Sequence, residues 1–420
     1  MAEADPTEIN NAAKRYWSEQ AHMPGGVIKE ADYAAHLQGV HPKLEGIKIV
    51  DCDTHFTEPP DLFTSRAPAH LRDKVPYQAE ADGITRWFVE GQDYGIVGGN
   101  VIRQDKRKIL GRLSFPTIEA GTDAAWQVKP RLQAMDELGI HAQICYQNSG
   151  ITQAGSLMHL PEGLGIKLLQ YYNDASAERT EESNQRLFTM GHLPIWDKAA
   201  LDAEARRCID MGIKGFVLPD TPEAIGAPCF DDPYWTAFLE LCNDTGTPIN
   251  FHLNSSIDPT KLAWRSFGFE KNLAVVSQMF YIANLATMGN WMVSGLLDRH
   301  PKLKIGLIES GMGWVPFGVE AVEWQFDEML ADRSLAPQRR PWDYWRDNFW
   351  CTYWFEKVGP KQLLETVGVD KVLFETDFPH PTALYPNVQE HIVDTLGGYS
   401  HDVRRQVLER NAVNLYNLPF

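Results

Sequence analysis

The chain has 420 residues, 44% of them hydrophobic, and a formal charge of −17. Such a length allows one large α/β domain or two to three smaller ones. The negative charge argues against nucleic acid or an anionic membrane as a partner, because phosphates would be repelled.

Six cysteines stand at positions 52, 145, 208, 229, 242 and 351 with no CxxC pair, so no zinc knuckle or thioredoxin-like site is expected. Cys52, Cys145 and Cys351 fall inside apolar runs and read as core thiols, which fits a reducing, cytoplasmic compartment. The opening MAEADPTEINNAAKRYW has no apolar signal core, and no run approaches the roughly 18 apolar residues of a membrane span. The 13 Trp and 19 Phe suit an aromatic-lined pocket, so a small molecule is the expected partner.

In chain order, residues 1–45 are polar and carry no strong periodicity. They read as an arm that wraps the domain or a neighbouring subunit, and a homo-oligomer is expected on that ground. From 46 to 420 short apolar runs alternate with amphipathic stretches. Strands are predicted at 47–53, 142–147, 186–193, 214–220, 248–252, 303–309, 348–354 and 371–377. Most are continuous apolar runs, as in a parallel sheet buried on both faces. Helices are predicted at 129–138, 161–182, 199–211, 232–245, 282–299, 315–330, 359–367, 386–396 and 401–415. Eight strands with interleaved helices predict a (β/α)8 TIM barrel; a doubly wound sheet is the alternative. Residues 61–128 break the rhythm with Pro, Gly and the hairpin-like ITRWFVEGQDYGIVGG. So long an insertion after strand one reads as a lid over the catalytic face.

The strand ends carry the chemistry. Asp53 and His55 lie two apart on strand one and point the same way. His252 ends strand five, Glu309 strand six and Asp377 strand eight, all at the end where barrel enzymes place their working groups. Nitrogen and oxygen donors of this kind suit a divalent metal such as Zn, Mn or Fe, and a cation relieves the repulsion between the acids. Any one carboxylate after a strand is as readily a helix cap. Five such groups at matching ends are not. His192 and Glu58 are weaker candidates, as additional ligands or as groups supporting the ligands. Trp314, Trp350, Tyr353 and Trp354 read equally as pocket wall or as packing, and His380 as the residue that orients the loop after Asp377 and faces the pocket.

The ordered pieces DCDTHFTEP, GIKGFVLPD, DDPYWTAFLELCNDTGTPINFH, HPKLKIGLIESGMGWVPF and KVLFETDFPHP run from Ile49 to Pro381. They resemble the amidohydrolase superfamily, and within it the branch of aminocarboxymuconate-semialdehyde and resorcylate-type decarboxylases. The resemblance implies a metal-dependent barrel enzyme. The family's strand-one HxH pair corresponds to Asp53 and His55, its strand-five histidine to His252 and its strand-eight aspartate to Asp377. It implies that these groups hold one divalent metal and that Asp377 also handles a proton. Two positions depart from the family pattern. Asp53 replaces the first histidine and makes the site more anionic, and Glu309 stands where the decarboxylases use a histidine for acid/base work.

The expected activity is hydrolysis or non-oxidative decarboxylation of a small carboxylated or aromatic compound, with Glu309 or Asp377 moving the proton. Two alternatives stay open. One is an iron oxygenase in which Glu58, Glu309 and His192 complete a second metal site. The other is a barrel that binds a ligand without catalysis.

Overall fold

The computed structural model describes residues 27–28, 39–152, 154–160, 163–253, 263–330, 332, 334 and 337–420. Most of the expected arm, 1–45, lies outside the described residues.

Eight strands form one sheet: β1 Val50–Phe56, β2 Ala142–Gln147, β3 Leu187–Thr189, β4 Phe216–Val217, β5 Ile249–His252, β6 Ile305–Ile308, β7 Phe349–Tyr353 and β8 Val372–Phe374. Their order is β3-β2-β1-β8-β7-β6-β5-β4. Consecutive strands lie side by side except β3 and β4, which stand at the two ends of the order, and the first lies beside the eighth, which is the cyclic order of a (β/α)8 barrel. The pairs β5–β6, β4–β5, β6–β7, β7–β8, β8–β1 and β2–β3 are parallel. Strands three to eight are shorter than predicted and strand one is shifted to 50–56, so that Glu309 lies one residue past β6 and Asp377 three past β8. As a result His192 lies three residues past the end of β3 rather than on it.

The chain divides into two compact units. One comprises 1–39, 53–213 and 376–387, and the other 40–52, 214–375 and 388–420.

In the first unit, the insertion folds as a three-stranded antiparallel sheet, Tyr77–Ala81, Ile84–Val89 and Gln92–Ile96. Two two-residue turns connect it, Asp82-Gly83 and Glu90-Gly91, and all four residues have positive φ. That conformation matches the twist of the flanking strands and is what selects Asp-Gly and X-Gly at these points. The sequence predicted only the second hairpin. Trp87, Val89 and Tyr94 bury against Phe63 and against Leu164, Leu168 and Leu169 of the helix Leu164–Glu182. The insertion is thus bonded into the unit by an apolar core. The helix Val128–Leu138 ends at Gly139, φ 74, as the pattern predicted.

In the second unit, Phe269–Val293 forms a helix that starts earlier than predicted and stops where Gly295 takes φ 72. Its Asn284 is fully buried and its amide donates to the carbonyls of Phe251 and Ile308, tying the ends of β5 and β6 together.

A candidate metal centre at the strand ends

All seven residues of β1 are buried, yet Asp51, Asp53 and His55 alternate with Val50, Cys52, Thr54 and Phe56. The strand therefore presents one polar face. Arg131, fully buried on the helix Val128–Leu138, fixes its end. Its guanidinium donates to the His55 carbonyl at 2.5 Å and to Gln143 Oε1 at 3.0 Å, and it lies 4.6 Å from the Phe378 ring.

His55 Nδ1 is 2.7 Å from the Gln147 carbonyl oxygen, which can only accept, so Nδ1 carries the hydrogen. Nε2 then faces Asp53 Oδ1 at 3.6 Å and Asp377 Oδ1 at 3.4 Å. A nitrogen lone pair aimed at two buried carboxylates is repulsive unless that nitrogen takes up a proton or a cation stands between them. Ligands bound at about 2.0–2.2 Å around one divalent ion sit roughly 3–3.5 Å from each other, and these separations fit.

Asp377 is held from several sides. Its backbone N–H donates to the Asp53 carbonyl at 2.9 Å and its φ is 59. Thr382 donates to Oδ2 at 2.7 Å, while His380 Nδ1 lies 2.8 Å from Oδ1. Burial alone would raise its pKa, but His380 and His55 outweigh that and hold it far below the usual carboxylate range. Asp53 is shifted the other way: burial raises it strongly, His55 offsets part of this, and Asp377 adds to the rise. A shared cation would keep both acids ionised. Among the described residues, His55, Asp377 and His380 offer donor atoms within 4.8 Å of one another.

In the second unit, His252 Nε2 and Glu309 Oε2 lie 3.4 Å apart at the ends of β5 and β6. Glu309 has φ 54, and Leu253, directly after His252, has φ 52. Left-handed backbone at non-glycine residues is uncommon and collects at functional sites. The buried Glu375 accepts from the Glu309 N–H at 3.1 Å and supports that conformation. Beyond it, the loop is clamped by Glu356, whose Oε1 accepts from the N–H groups of Met312 and Gly313, each at 2.8 Å.

The other predicted residues divide between these settings. Glu58 is buried, and its carboxylate accepts from Ser149 N–H at 3.1 Å. Burial pushes its pKa up to about 7 against the opposing pull of Ser149 and Arg179. His192 Nε2 is 2.8 Å from Gln147 Oε1, and the ring meets Tyr172 edge-on. Among the described residues neither Glu58 nor His192 joins a group of candidate ligands. Trp350 sits near the start of β7, bonded to the Asp370 carbonyl with Lys371 over its ring, at the opposite end from the ligands. Tyr353 packs between Phe374 and His391, Trp354 against Tyr281, and Trp314 donates to the Ser310 carbonyl. His380 stacks on His55, with ring centroids 3.7 Å apart. Sequence reasoning missed Gln147, Asn148, Arg131 and Glu375. The polar QNS directly after the second strand run was the available signal for the first two.

Gamma-resorcylate decarboxylase from Rhodococcus jostii (strain RHA1) is 28% identical over 267 residues, covering 59% of this chain and 76% of that protein. Among solved structures, an amidohydrolase from Mycobacterium avium subsp. paratuberculosis K-10 superposes with a TM-score of 0.67 at 19% identity, covering 88% of this chain and 99% of that one. A dihydroxybenzoic acid decarboxylase from Polaromonas sp. JS666, solved with manganese and the inhibitor 2-nitroresorcinol, gives 0.57 at 18% identity, covering 89% and 97%. At these identities the two structures speak for the fold. A family model described as amidohydrolase matches residues 50–418, from the first barrel strand almost to the last residue, and the chain belongs to that family.

Proposed function

We propose that the chain is a non-oxidative decarboxylase of a small aromatic carboxylate, working with one divalent cation. Family membership makes it a metal-dependent hydrolase or carboxy-lyase. The observation that carries the reading is His55 Nε2 fixed by Gln147 to face Asp53 and Asp377. The similarity to gamma-resorcylate decarboxylase supports the carboxy-lyase over the hydrolase.

In this reading Asp53, His55, His252 and Asp377 would hold the ion; the two carboxylates add hard oxygen donors that admit manganese, the metal in the Polaromonas decarboxylase structure. Held there, a divalent ion would supply Lewis acidity toward an anionic oxygen of the substrate. His55 and Asp377 arrive already oriented, by Gln147, Arg131, Thr382 and His380. Asp377 is held ionised, which suits a ligand better than a proton donor. Glu309 then gives its proton to the ring carbon as the carbon–carboxylate bond breaks and CO2 leaves. The insertion 61–128 serves as the lid.

We also read the protein as a cytoplasmic homo-oligomer. Five of its six cysteines are buried thiols, and no helix among the described residues is long and apolar enough to cross a membrane. Phe317, Trp324 and Met329 stand 72%, 66% and 75% exposed along one helix, an apolar surface that suits a second copy. A monomer in sedimentation equilibrium would dismiss the oligomer.

Protein loaded with manganese, offered a panel of hydroxybenzoates and related aromatic carboxylates, is expected to release CO2 from at least one. His252→Ala is expected to abolish that release together with metal retention. Hydrolysis of ester or amide substrates by the same preparation with no CO2 from any carboxylate would reject the decarboxylase.

A further inference from the structure

The insertion leaves its antiparallel sheet at Ile96 and runs through Val97 into Gly98 and Gly99. Gly98 has φ 147, and a Cβ there would come within 2.7 Å of Asn148 Cγ. A Cβ on Gly99 would come within 2.6 Å of His380 Cδ2 and 3.0 Å of its Nε2. The backbone comes this close to both side chains only because neither residue carries a side chain of its own.

Asn148 closes the contact. Its Oδ1 accepts from Gly99 N–H at 2.7 Å and faces His380 Nε2 at 2.9 Å. Its Nδ2 donates to Thr57 Oγ1 at 2.7 Å and to the Gly99 carbonyl at 2.9 Å. An Asn amide has two donor hydrogens and two acceptor lone pairs, and all four are used. The amide therefore has one orientation, and so has the His380 ring bonded to it. The ring's other nitrogen lies 2.8 Å from Asp377 Oδ1, and its face lies over His55.

We propose that Gly98, Gly99 and Asn148 are positioning residues of the metal centre, locking the His380 ring in the pose that fixes Asp377 and His55. The inserted segment is then a working wall of the site as well as a cover. The inference rests on the reading that Asp377 and His55 hold a divalent ion. Partners that orient metal ligands typically contribute ten- to a hundredfold in affinity.

The test is a titration of the full chain, freed of metal by chelator, with Mn²⁺ alone, read by the EPR signal of the unbound ion. Gly99→Ala and Asn148→Ala are each expected to weaken Mn²⁺ binding about ten- to a hundredfold. In a His380→Ala background the same Gly99→Ala change is expected to alter binding less than about twofold, because no ring remains to be displaced. Unchanged affinity in both single variants overturns the proposal. So does an equal loss with and without His380, which would mean general damage to the fold. If Gly99→Ala does not fold by circular dichroism, Asn148→Ala with and without His380 makes the same comparison. A wild-type chain that binds no Mn²⁺ would instead reject the metal centre itself, and this proposal with it.

Discussion

The Gln147 carbonyl, 2.7 Å from His55 Nδ1, settles which nitrogen of that ring faces the carboxylates. A second residue has an equally specific consequence. Glu58 titrates near 7 in the folded protein against an ordinary value of 4.5, because burial disfavours its charge. Between those values the unfolded chain ionises while the folded one keeps its proton. The Glu58 contribution to stability therefore falls as pH rises from about 4.5 to 7, by about 3 kcal/mol. Glu58→Gln keeps an oxygen for Ser149 and removes the titration. Urea unfolding at pH 5 and pH 8 is expected to show a much smaller difference in the variant than in wild type. The same slope in both proteins would assign the effect elsewhere.

At the scale of elements, the loop after β6 depends on Glu356, which accepts from Met312 and Gly313. Glu356→Ala removes the acceptor of three N–H groups, those of the buried Met312 and Trp354 and of the exposed Gly313, and an unsatisfied buried donor costs about 1–3 kcal/mol. Stability is expected to fall by about that much, with kcat reduced through loss of Glu309 placement and manganese content retained. Metal analysis beside urea unfolding checks this, and a variant that matches wild type in both stability and kcat would contradict it. The strands that bear the proposed ligands stand out in the sequence because each apolar run stops abruptly at a polar group: IVDCDTH, PINFH, LKIGLIE and KVLFETD. The left-handed backbone at Glu309 and Asp377 was not legible, because neither residue is a glycine that would announce it. The Asp82-Gly83 turn carries the same signal as Glu90-Gly91, but was passed over for the stronger alternation of ITRWFVEG.

For the whole molecule, the cyclic strand order could be read from the even spacing of eight apolar runs, and family membership from 50 to 418 agrees with it. What the sequence could not supply was the set of residues that orient the ligands. Arg131 and Glu375 bond to partners far away in the chain and no local pattern marks them, while for Asn148 the polar QNS marks the residue but not its partner. Asn148 and His380 are 232 positions apart. The aromatic residues stayed undecided for a related reason. Trp350 and Tyr353 read equally as wall or packing from sequence, and in the structure one packs at the start of its strand and the other against His391. The most direct measurement is anomalous diffraction at the manganese edge from crystals of the loaded enzyme. One peak is expected about 2.0–2.3 Å from His55 Nε2 and from donor atoms of Asp53, His252 and Asp377. No peak there, or a peak bound by other side chains, would contradict a single ion held by these four residues.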